Sequence, residues 1–179
     1  MGAMKHKLIV PTEWMNDREM SVEAREALQF ILPLSDDYPG IEEWFRNKVV
    51  PGLYDGSRHL LRVERDGRLV GLGIAKSTEL EQKICTVRIA PEYAGRGMGV
   101  RIFDGLLEWL KTDRPHFTVS EHKLIAFERI FDWYGFKLTS KNNGLYLPAR
   151  TELGYNELEA RFSNASQRGH SLGGKQEPR

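Results

Sequence analysis

The sequence predicts an α+β domain, and three patterns within its 179 residues support that prediction. An apolar run at residues 84–89 leads into a glycine-rich loop, and an amphipathic run that ends at Leu110 follows the loop. Upstream, two β-rich stretches flank Asp66-Gly67, and an Asp-Gly pair in such a setting is a strong hairpin signal. Downstream, residues 123–134 form a second amphipathic run. Antiparallel strands with separate helices are typical of the α+β class.

The first third of the chain is expected to contain one short strand and two helices. Residues 5–10 are a strand candidate. Residues 21–32 carry apolar side chains at helical spacing, with Ser21 in the N-cap position. Residues 41–50 are predicted to form a second short helix, which Pro51-Gly52 ends.

The middle of the chain predicts an antiparallel meander of three strands. Residues 59–64 and 69–76 flank the Asp-Gly turn, and residues 82–89 form the third strand. Gly71 and Gly73 in the second strand indicate either a bulge or the close approach of another element. Alternation along the third strand places three of its side chains on one face, those of Cys85, Val87 and Ile89.

After the glycine loop and its helix, the pattern predicts a strand, a helix, two paired strands and a last helix. The expected ranges are 117–120, 123–134, 136–139, 144–147 and 152–162, in that order. A turn at residues 141–144, which contains Asn-Gly, joins the paired strands. Residues 163–179 are polar and glycine-rich, so we expect a flexible tail there.

Composition bounds the class of protein. The net charge is +1 and 40% of the residues are hydrophobic, which is ordinary for a soluble protein and unlike a dedicated nucleic-acid binder. The chain has no long apolar run and no signal-peptide core, so a cytoplasmic protein without a membrane span is expected. Cys85 is the only cysteine and the five histidines show no ligand spacing, so neither a disulfide nor a metal is expected. Residues 1–3 are interpreted as an expression remnant before a native Met4.

The glycine-rich loop is a candidate phosphate site. The first amides of a helix have no intrahelical acceptor, and the helix dipole adds positive charge at the same end. Gly95, Gly97 and Gly99 remove side chains that would keep an anion from those amides. The loop is not a P-loop, because Val100 and Arg101 follow its last glycine where Lys and Ser or Thr are required. It also fails the dinucleotide-binding fingerprint, because its glycines are spaced two and two.

This stretch resembles motif A of the GNAT superfamily of acyl-CoA-dependent N-acyltransferases. Ala90-Pro91-Glu92-Tyr93 matches the usual lead-in, and the next six residues match the family's glycine pattern except at Ala94, where Arg or Gln is expected. The resemblance implies a three-layer fold over residues 5–162, a single domain whose mixed, mostly antiparallel sheet of about six to seven strands is flanked by helices. It implies acetyl-CoA as co-substrate, with its pyrophosphate held by Ala94, Gly95, Arg96, Gly97, Met98, Gly99 and Val100. It further implies that the preceding strand splays from its neighbour and offers the backbone of Val87 and Ile89 to the pantetheine arm.

Residues 131–136 resemble the family's motif B, with a substitution at the chemically important position. The tyrosine that often reprotonates the coenzyme thiolate falls on Phe131, and a helix asparagine often found seven residues earlier falls on Leu124. Other groups must then move the protons. Tyr134 is a candidate proton donor, whereas Glu121 with its neighbour His122, and Glu81 acting through a water, are candidates for the general base.

In GNAT proteins the first helical region and the loop between its helices form one wall of the acceptor site. The residues that this resemblance makes candidates for substrate contact are Asp36, Asp37, Tyr38, Trp44 and Phe45.

Three functions stay open at this point. The first is an acetyl-CoA-dependent N-acetyltransferase that moves an acetyl group to a primary amine by direct transfer. The second is a GNAT-type toxin that acetylates aminoacyl-tRNA, although such proteins are usually more basic and depend on the tyrosine absent at Phe131. The third is a coenzyme-binding or regulatory module without turnover, which Ala94 and Phe131 favour. Many GNAT proteins dimerise, so the resemblance also allows a homodimer, whereas nucleic-acid and membrane partners are not expected.

Overall fold

The computed structural model describes residues 20–157, and six strands lie in that range. They are β1 Arg58–Arg65, β2 Arg68–Ser77, β3 Gln82–Ile89, β4 Phe117–Ser120, β5 Leu138–Asn143 and β6 Thr151–Tyr155. Two antiparallel sheets result, with the orders β1-β2-β3 and β4-β6-β5. The predictions for residues 5–10, for 163–179 and for the end of the last helix at 158–162 lie outside the described residues.

One parallel bridge joins the two sheets, between Lys83 of β3 and His116 just before β4. The Ile84 amide donates to the His116 carbonyl oxygen at 2.9 Å, and the His116 amide donates to the Gln82 carbonyl oxygen at 2.9 Å. The combined sheet is therefore mixed and mostly antiparallel, which confirms the predicted fold class. Its six described strands match the lower end of the predicted number.

Helices cover both faces of this sheet and give the predicted three layers. They are α1 Val22–Ile31, α2 Ile41–Trp44, α3 Val50–Asp55, α4 Met98–Leu110 and α5 Leu124–Tyr134. The first three pack on one face and the last two on the other. Within residues 20–157, none of the helices has the length and apolarity needed to cross a bilayer.

The two hydrophobic cores meet at β2, which is buried on both sides. Leu72 and Ile74 face the core beneath α1, and both are 0% exposed. On the other face, a Cβ atom at Gly73 would lie 2.8 Å from side-chain atoms of both Ile102 and Leu106 of α4. The close approach predicted at this glycine is therefore confirmed.

The structure confirms two predictions that rest on local sequence signals, a helix N-cap and a hairpin turn. The Ala24 amide donates to Ser21 Oγ at 3.1 Å, so Ser21 caps α1 as predicted. Asp66 and Gly67 have φ of +50° and +72°, the left-handed pair that a tight hairpin turn requires. The Asp-Gly hairpin between β1 and β2 is confirmed.

The prediction that Pro51-Gly52 ends the second helix is wrong. The helical run passes from α2 through a π-helical segment, Phe45–Val49, into α3. Pro51 lies in the first turn of α3, where the amide hydrogen that proline lacks is not needed, and the π segment changes the hydrogen-bond register before it. Gly52 is buried because the stem of Arg58 packs on it: a Cβ there would lie 2.7 Å from Arg58 Cγ and Cδ.

The predictions of a strand at residues 144–147 and of a helix beginning at Glu152 are wrong. Glu152 belongs to β6, which pairs with β4 on one side and β5 on the other. The four residues from Glu152 to Tyr155 are all buried, so β6 lacks the one-sided alternation by which a strand is read from sequence. Asn142 and Asn143, expected in the turn, lie in β5, and the connecting loop extends to Arg150.

Candidate active site

The glycine-rich loop is an exposed turn that leads directly into α4. Gly95 and Gly97 both have φ of +74°, and a Cβ at either would meet no atom within 4 Å. The Arg101 amide donates to the Gly97 carbonyl oxygen at 3.1 Å, which is the first hydrogen bond of the helix. The amides of residues 98–100 therefore have no intrahelical acceptor, and no side chain in the described part of the chain caps them. The loop presents donors at the positive end of a 13-residue helix, with open space in front.

Gly99 differs from the other two glycines because it is buried. A Cβ there would lie 2.5 Å from Cδ1 of Ile130 on α5, so Gly99 allows the two helices to approach closely. Of the other predicted loop residues, Ala94 and Arg96 are exposed, Val100 is half-buried and Met98 is buried. The loop therefore combines an exposed turn with a buried helix start.

A bulge in β3 lies just beyond the bridge to β4. β2 pairs with Ile84 and then with Thr86, which leaves Cys85 unpaired. The prediction that Cys85 shares a face with Val87 and Ile89 is wrong, because one extra residue reverses the alternation. Cys85 packs in the core beneath α1, whereas Val87 and Ile89 pack in the core beneath α4.

The same bulge decides where the main chain of β3 points. The Ala90 amide donates to the Val70 carbonyl oxygen of β2 at 2.9 Å. Main-chain groups alternate between the two neighbours of a strand, so those of Val87 and Ile89 point away from β2, into the gap beside β4. At the bridge, the main-chain groups of Gln82 and Ile84 point toward the strand that begins after His116. Without the bulge this alternation would continue, and the main-chain groups of the even-numbered residues would point into the gap instead. The splayed strand that the resemblance implies is present, with these two residues at its open edge.

The gap between β3 and β4 opens into a cavity of about 340 Å³. Three aromatic rings line it on the side of α4 and α5: Phe103, Phe127 and Phe131. Tyr38 and Trp44 line it on the opposite side. The cavity thus reaches through the sheet from one helical layer to the other, and Phe131, which has no proton to donate, lines it.

Glu81 is the only carboxylate among the described residues that line the cavity. Lys76 Nζ donates to its Oε2 at 2.8 Å, and its Oε1 lies 3.2 Å from His116 Nδ1. Burial opposes ionisation of Glu81, but these hydrogen bonds outweigh burial and lower its pKa to about 2. Glu81 is therefore a carboxylate at neutral pH and a weak proton acceptor by itself.

Tyr134 and Glu121 do not line the cavity. The Tyr134 hydroxyl donates to Asp104 Oδ1 at 2.5 Å and lies 3.2 Å from the Val100 carbonyl oxygen, so it links α5 to α4. Burial, and then the Asp104 carboxylate, raise the pKa of Tyr134. Glu121 is exposed and pairs with Lys141 at 3.4 Å. The structure does not bring the three candidate catalytic residues together.

A polar cluster closes the cavity wall beside Tyr38. The Asp37 carboxylate pairs with the Lys123 ammonium group and lies 3.2 Å from His122 Nε2. Burial opposes ionisation of Asp37, but the hydrogen bond from Lys123 and its charge lower the pKa of this carboxyl. His122 Nδ1 lies 2.8 Å from Ser120 Oγ. The ion pairs tie the loop after α1 to the start of α5.

Sequence reasoning identified two cavity-lining residues among its five candidates for substrate contact. Tyr38 and Trp44 line the cavity, whereas Phe45 is 0% exposed in the core and Asp36 is exposed. It missed Glu152, which is 2% exposed, has no partner for Oε2 among residues 20–157, and has a pKa raised by burial. It also missed two basic residues on the cavity wall, Arg58 and Lys76. The pairing of β1 with β2 brings them there, and the register of that pairing cannot be read from the sequence.

A mixed sheet that splits beside a glycine loop at a helix start defines the class of acetyltransferases with the GNAT fold. The chain belongs to this family: the model of the acetyltransferase (GNAT) domain matches residues 39–144, more than half of the chain. The match includes the glycine loop, α4 and α5. A search of curated protein sequences found no match.

Solved structures share the fold at low sequence identity. A protein from Desulfovibrio desulfuricans assigned to the GNAT family of acetyltransferases aligns with a TM-score of 0.61 and 13% identity, over 76% of this chain and 92% of its own. The ribosomal-protein-S18-alanine N-acetyltransferase of Escherichia coli gives 0.59 and 12%, over 76% and 87%. An aminoglycoside 6′-N-acetyltransferase complexed with coenzyme A gives 0.57 and 11%, over 78% and 92%. At these identities the likeness shows the fold alone.

Proposed function

We propose that this protein is an acetyl-CoA-dependent N-acetyltransferase that moves an acetyl group directly to a primary amine. The observation that carries the proposal is the divergence of β3 from β4 beside the glycine loop. It leaves main-chain groups of β3 without a strand partner, and buried main-chain groups need one. Related solved structures are complexes with coenzyme A, which supports a coenzyme in this position.

In this proposal the pyrophosphate binds the helix-start amides of residues 98–100. The loop from Ala94 to Gly97 leaves the approach open, because neither left-handed glycine has a neighbouring atom that a Cβ would meet. The pantetheine arm then lies along β3, where the main chain of Val87 and Ile89 supplies donors and acceptors. Arg96 is exposed in the loop and adds positive charge near the phosphates.

The reaction follows from this placement. The amine nitrogen attacks the thioester carbonyl carbon, the carbon–sulfur bond breaks, and the sulfur leaves as a thiolate. A main-chain amide of β3 that faces the gap, on the cavity side of Ile89, polarises the carbonyl oxygen, and positioning supplies much of the rate. The amine proton passes to solvent through a water that Glu81 holds, because the low pKa of Glu81 makes the carboxylate itself a weak base. Phe131 supplies no acid for the thiolate, and general acid–base help is worth about 10² to 10⁴ in rate, so we expect slow turnover.

A second candidate is a coenzyme-binding module without turnover. It is favoured by Phe131 in the cavity, where the resemblance implies a tyrosine, and by Ala94 at the start of the loop. The two candidates agree on coenzyme binding and differ only in whether an amine releases free thiol.

Calorimetric titration with acetyl-CoA tests the shared part, using Gly97→Ala and a matched control, Gly56→Ala. Gly56 has φ of +79° and, like Gly97, no atom within 4 Å of an added Cβ, but it lies at the end of α3. Each variant should lose about 1–2 kcal/mol of stability from the left-handed backbone. We expect at least about a tenfold loss of affinity for Gly97→Ala alone, because its Cβ meets the phosphate.

Equal affinities of the two variants and the wild-type protein would refute the placement of the pyrophosphate. Free-thiol release from acetyl-CoA across a panel of primary amines then separates the candidates. Release that depends on the amine supports the transferase, and binding with no release for any amine supports the module.

A further inference from the structure

Three basic side chains form a row across the first sheet, on the cavity wall. The pairing register places Arg58 of β1 opposite Lys76 of β2, and Lys76 opposite Lys83 of β3. All three line the cavity. Side chains at directly opposed positions share a face, with Cβ atoms about 5 Å apart, and like charges so placed destabilise a sheet. We call these three residues the cationic row.

The protein compensates the charge of the cationic row only in part. Glu81 pairs with Lys76 at 2.8 Å. Arg58 carries five N–H donors, and within residues 20–157 its one hydrogen bond goes to Cys85 Sγ at 3.3 Å. Burial raises the pKa of Cys85, so this acceptor is a neutral thiol and a weak one. Lys83 forms no salt bridge with the residues that the structure describes.

Arg58 is held in this position by packing. Its stem lies on Gly52, and its guanidinium carbon is 5.7 Å from the centroid of the Trp44 ring. Arg58 and Lys83 are both half-buried. Among the described residues, no carboxylate lies within salt-bridge distance of Arg58 or Lys83, and only longer-range attraction from Asp55 and from Glu81 reaches them. A partly desolvated wall with this excess of positive charge favours the binding of an anion.

The phosphates proposed for the glycine loop do not account for this charge. Lys83 and Ile89 lie six residues apart in β3, which corresponds to about 20 Å in an extended strand. The glycine loop lies beyond Ile89. The cationic row therefore faces the opposite end of the cavity, where the acceptor would enter.

We propose that the cationic row binds a carboxylate or phosphate group of the acceptor, so that the acceptor is a small amine that carries an anionic group. This inference deepens the proposed function and rests on it. The cavity of about 340 Å³ is at the small end of ligand sites and must also admit the thioester. An acceptor of amino-acid size fits this space, and a polycation would meet the repulsion of the row.

The test compares amines that differ in charge, with free-thiol release from acetyl-CoA as the readout. β-Alanine is compared with its amide and with 1,3-diaminopropane, and O-phosphoethanolamine is compared with ethanolamine. We expect kcat/KM for the anionic amines to exceed that of their neutral partners by about tenfold or more. The better of the two anionic amines tells whether the row prefers a carboxylate or a phosphate.

Variants assign the preference to the row. Lys83→Gln and Arg58→Gln each remove one charge, and Lys141→Gln removes an exposed lysine of the second sheet as a matched control. Each of the first two should lower kcat/KM for the anionic amine by about ten- to a hundredfold and change kcat/KM for the neutral amine much less. Lys83→Glu should shift the preference toward the diamine, and the control should match the wild-type protein.

Equal rates for anionic and neutral amines, or equal losses for both in Lys83→Gln and Arg58→Gln, would overturn the inference. If no amine is acetylated, ligand-observed NMR measures the binding of β-alanine and O-phosphoethanolamine to the coenzyme-A-loaded protein and tests the inference instead. Binding that weakens in both variants supports the proposed role of the cationic row. Binding that is equally strong in the variants and the wild-type protein overturns it. Acetyl-CoA affinity is measured without any amine, so failure of the proposed function is seen separately.

Discussion

Substitution of Glu81 by Gln is expected to flatten the acid side of the protein's stability profile. The pKa of Glu81 falls from its ordinary value of 4.5 to about 2 in the folded protein, because hydrogen bonds from Lys76 and His116 outweigh burial. At about 1.36 kcal/mol for each pKa unit, ionised Glu81 contributes about 3 kcal/mol at neutral pH. Solvent reaches the side chain, which is 17% exposed, so we reduce this to about 2 kcal/mol.

The sign follows from the lowered pKa. A carboxyl group whose pKa falls on folding stabilises the protein above its ordinary pKa, and this contribution is lost as the pH falls toward the folded-state value. More than half of it, about 1 kcal/mol, should therefore disappear between about pH 7 and about pH 3 in the wild-type protein. The loss should be absent in Glu81→Gln.

Urea denaturation across this pH range measures the effect, with Glu79→Gln as the control. Glu79 is exposed in the same loop, so its substitution should leave the profile as in the wild-type protein. If the profiles of the wild-type protein and Glu81→Gln run parallel from neutral to acid pH, the bonds from Lys76 and His116 do not hold the carboxylate, and the reasoning is refuted.

Two further predictions concern buried positions. Burial raises the pKa of Glu152, so the stability linked to this residue is present below its ordinary pKa and is lost as the pH rises through the folded-state value. In urea denaturation, Glu152→Gln should gain stability relative to the wild-type protein as the pH rises above 4.5, the ordinary pKa of a glutamate. A stability difference that does not change with pH would contradict this. Gly73→Ala should destabilise the protein by about 1–3 kcal/mol, because its Cβ meets Ile102 and Leu106. In a double-mutant cycle the loss should shrink when Leu106→Ala makes room, and additive losses would argue against the contact.

The strand, the glycine loop and the helix on one side of the candidate site could be predicted because their signals are local. Strand β3 has the predicted bounds, Gln82–Ile89, and α4 begins at Met98, directly after Gly97. An amphipathic helix, a left-handed glycine and an apolar strand each depend on residues within a few positions of one another. The N-cap at Ser21 and the turn at Asp66-Gly67 were predictable for the same reason, because each depends only on neighbouring residues.

The errors fall where tertiary contacts override local signals. Pro51 marks a helix end in an isolated segment, but here a π-helical segment shifts the hydrogen-bond register and places it in a first turn. The segment of β6 is predicted as a helix start because both of its faces are buried, so its sequence lacks the alternation of a one-sided strand. Glu152 adds a polar residue at a buried position where an apolar one is expected. Neither the covering of β6 nor the packing of Arg58 on Gly52 can be read from neighbouring residues.

Two bulges of one residue each determine which side chains and which main-chain groups face the cavity and the gap. Beside the turn, Arg65 pairs with Arg68, and an unbroken hairpin in that register would place Arg58 opposite Ala75. A bulge between Val63 and Glu64 shifts the register by one, so that Arg58 faces Lys76 and the row becomes continuous.

The second bulge, at Cys85, turns the main chain of Val87 and Ile89 into the gap while leaving Lys83 in its place on the row. Bulges leave almost no trace in a sequence, since the inserted residue has no required identity. The alternation of β3 predicts a strand from residues 82 to 89, yet which half of its main chain faces the gap, and which of its side chains line the cavity, follow only from the register. A change that removed the bulge at Cys85 would therefore turn the main chain of Val87 and Ile89 away from the gap while it left the pairing of Lys83 with Lys76 in place.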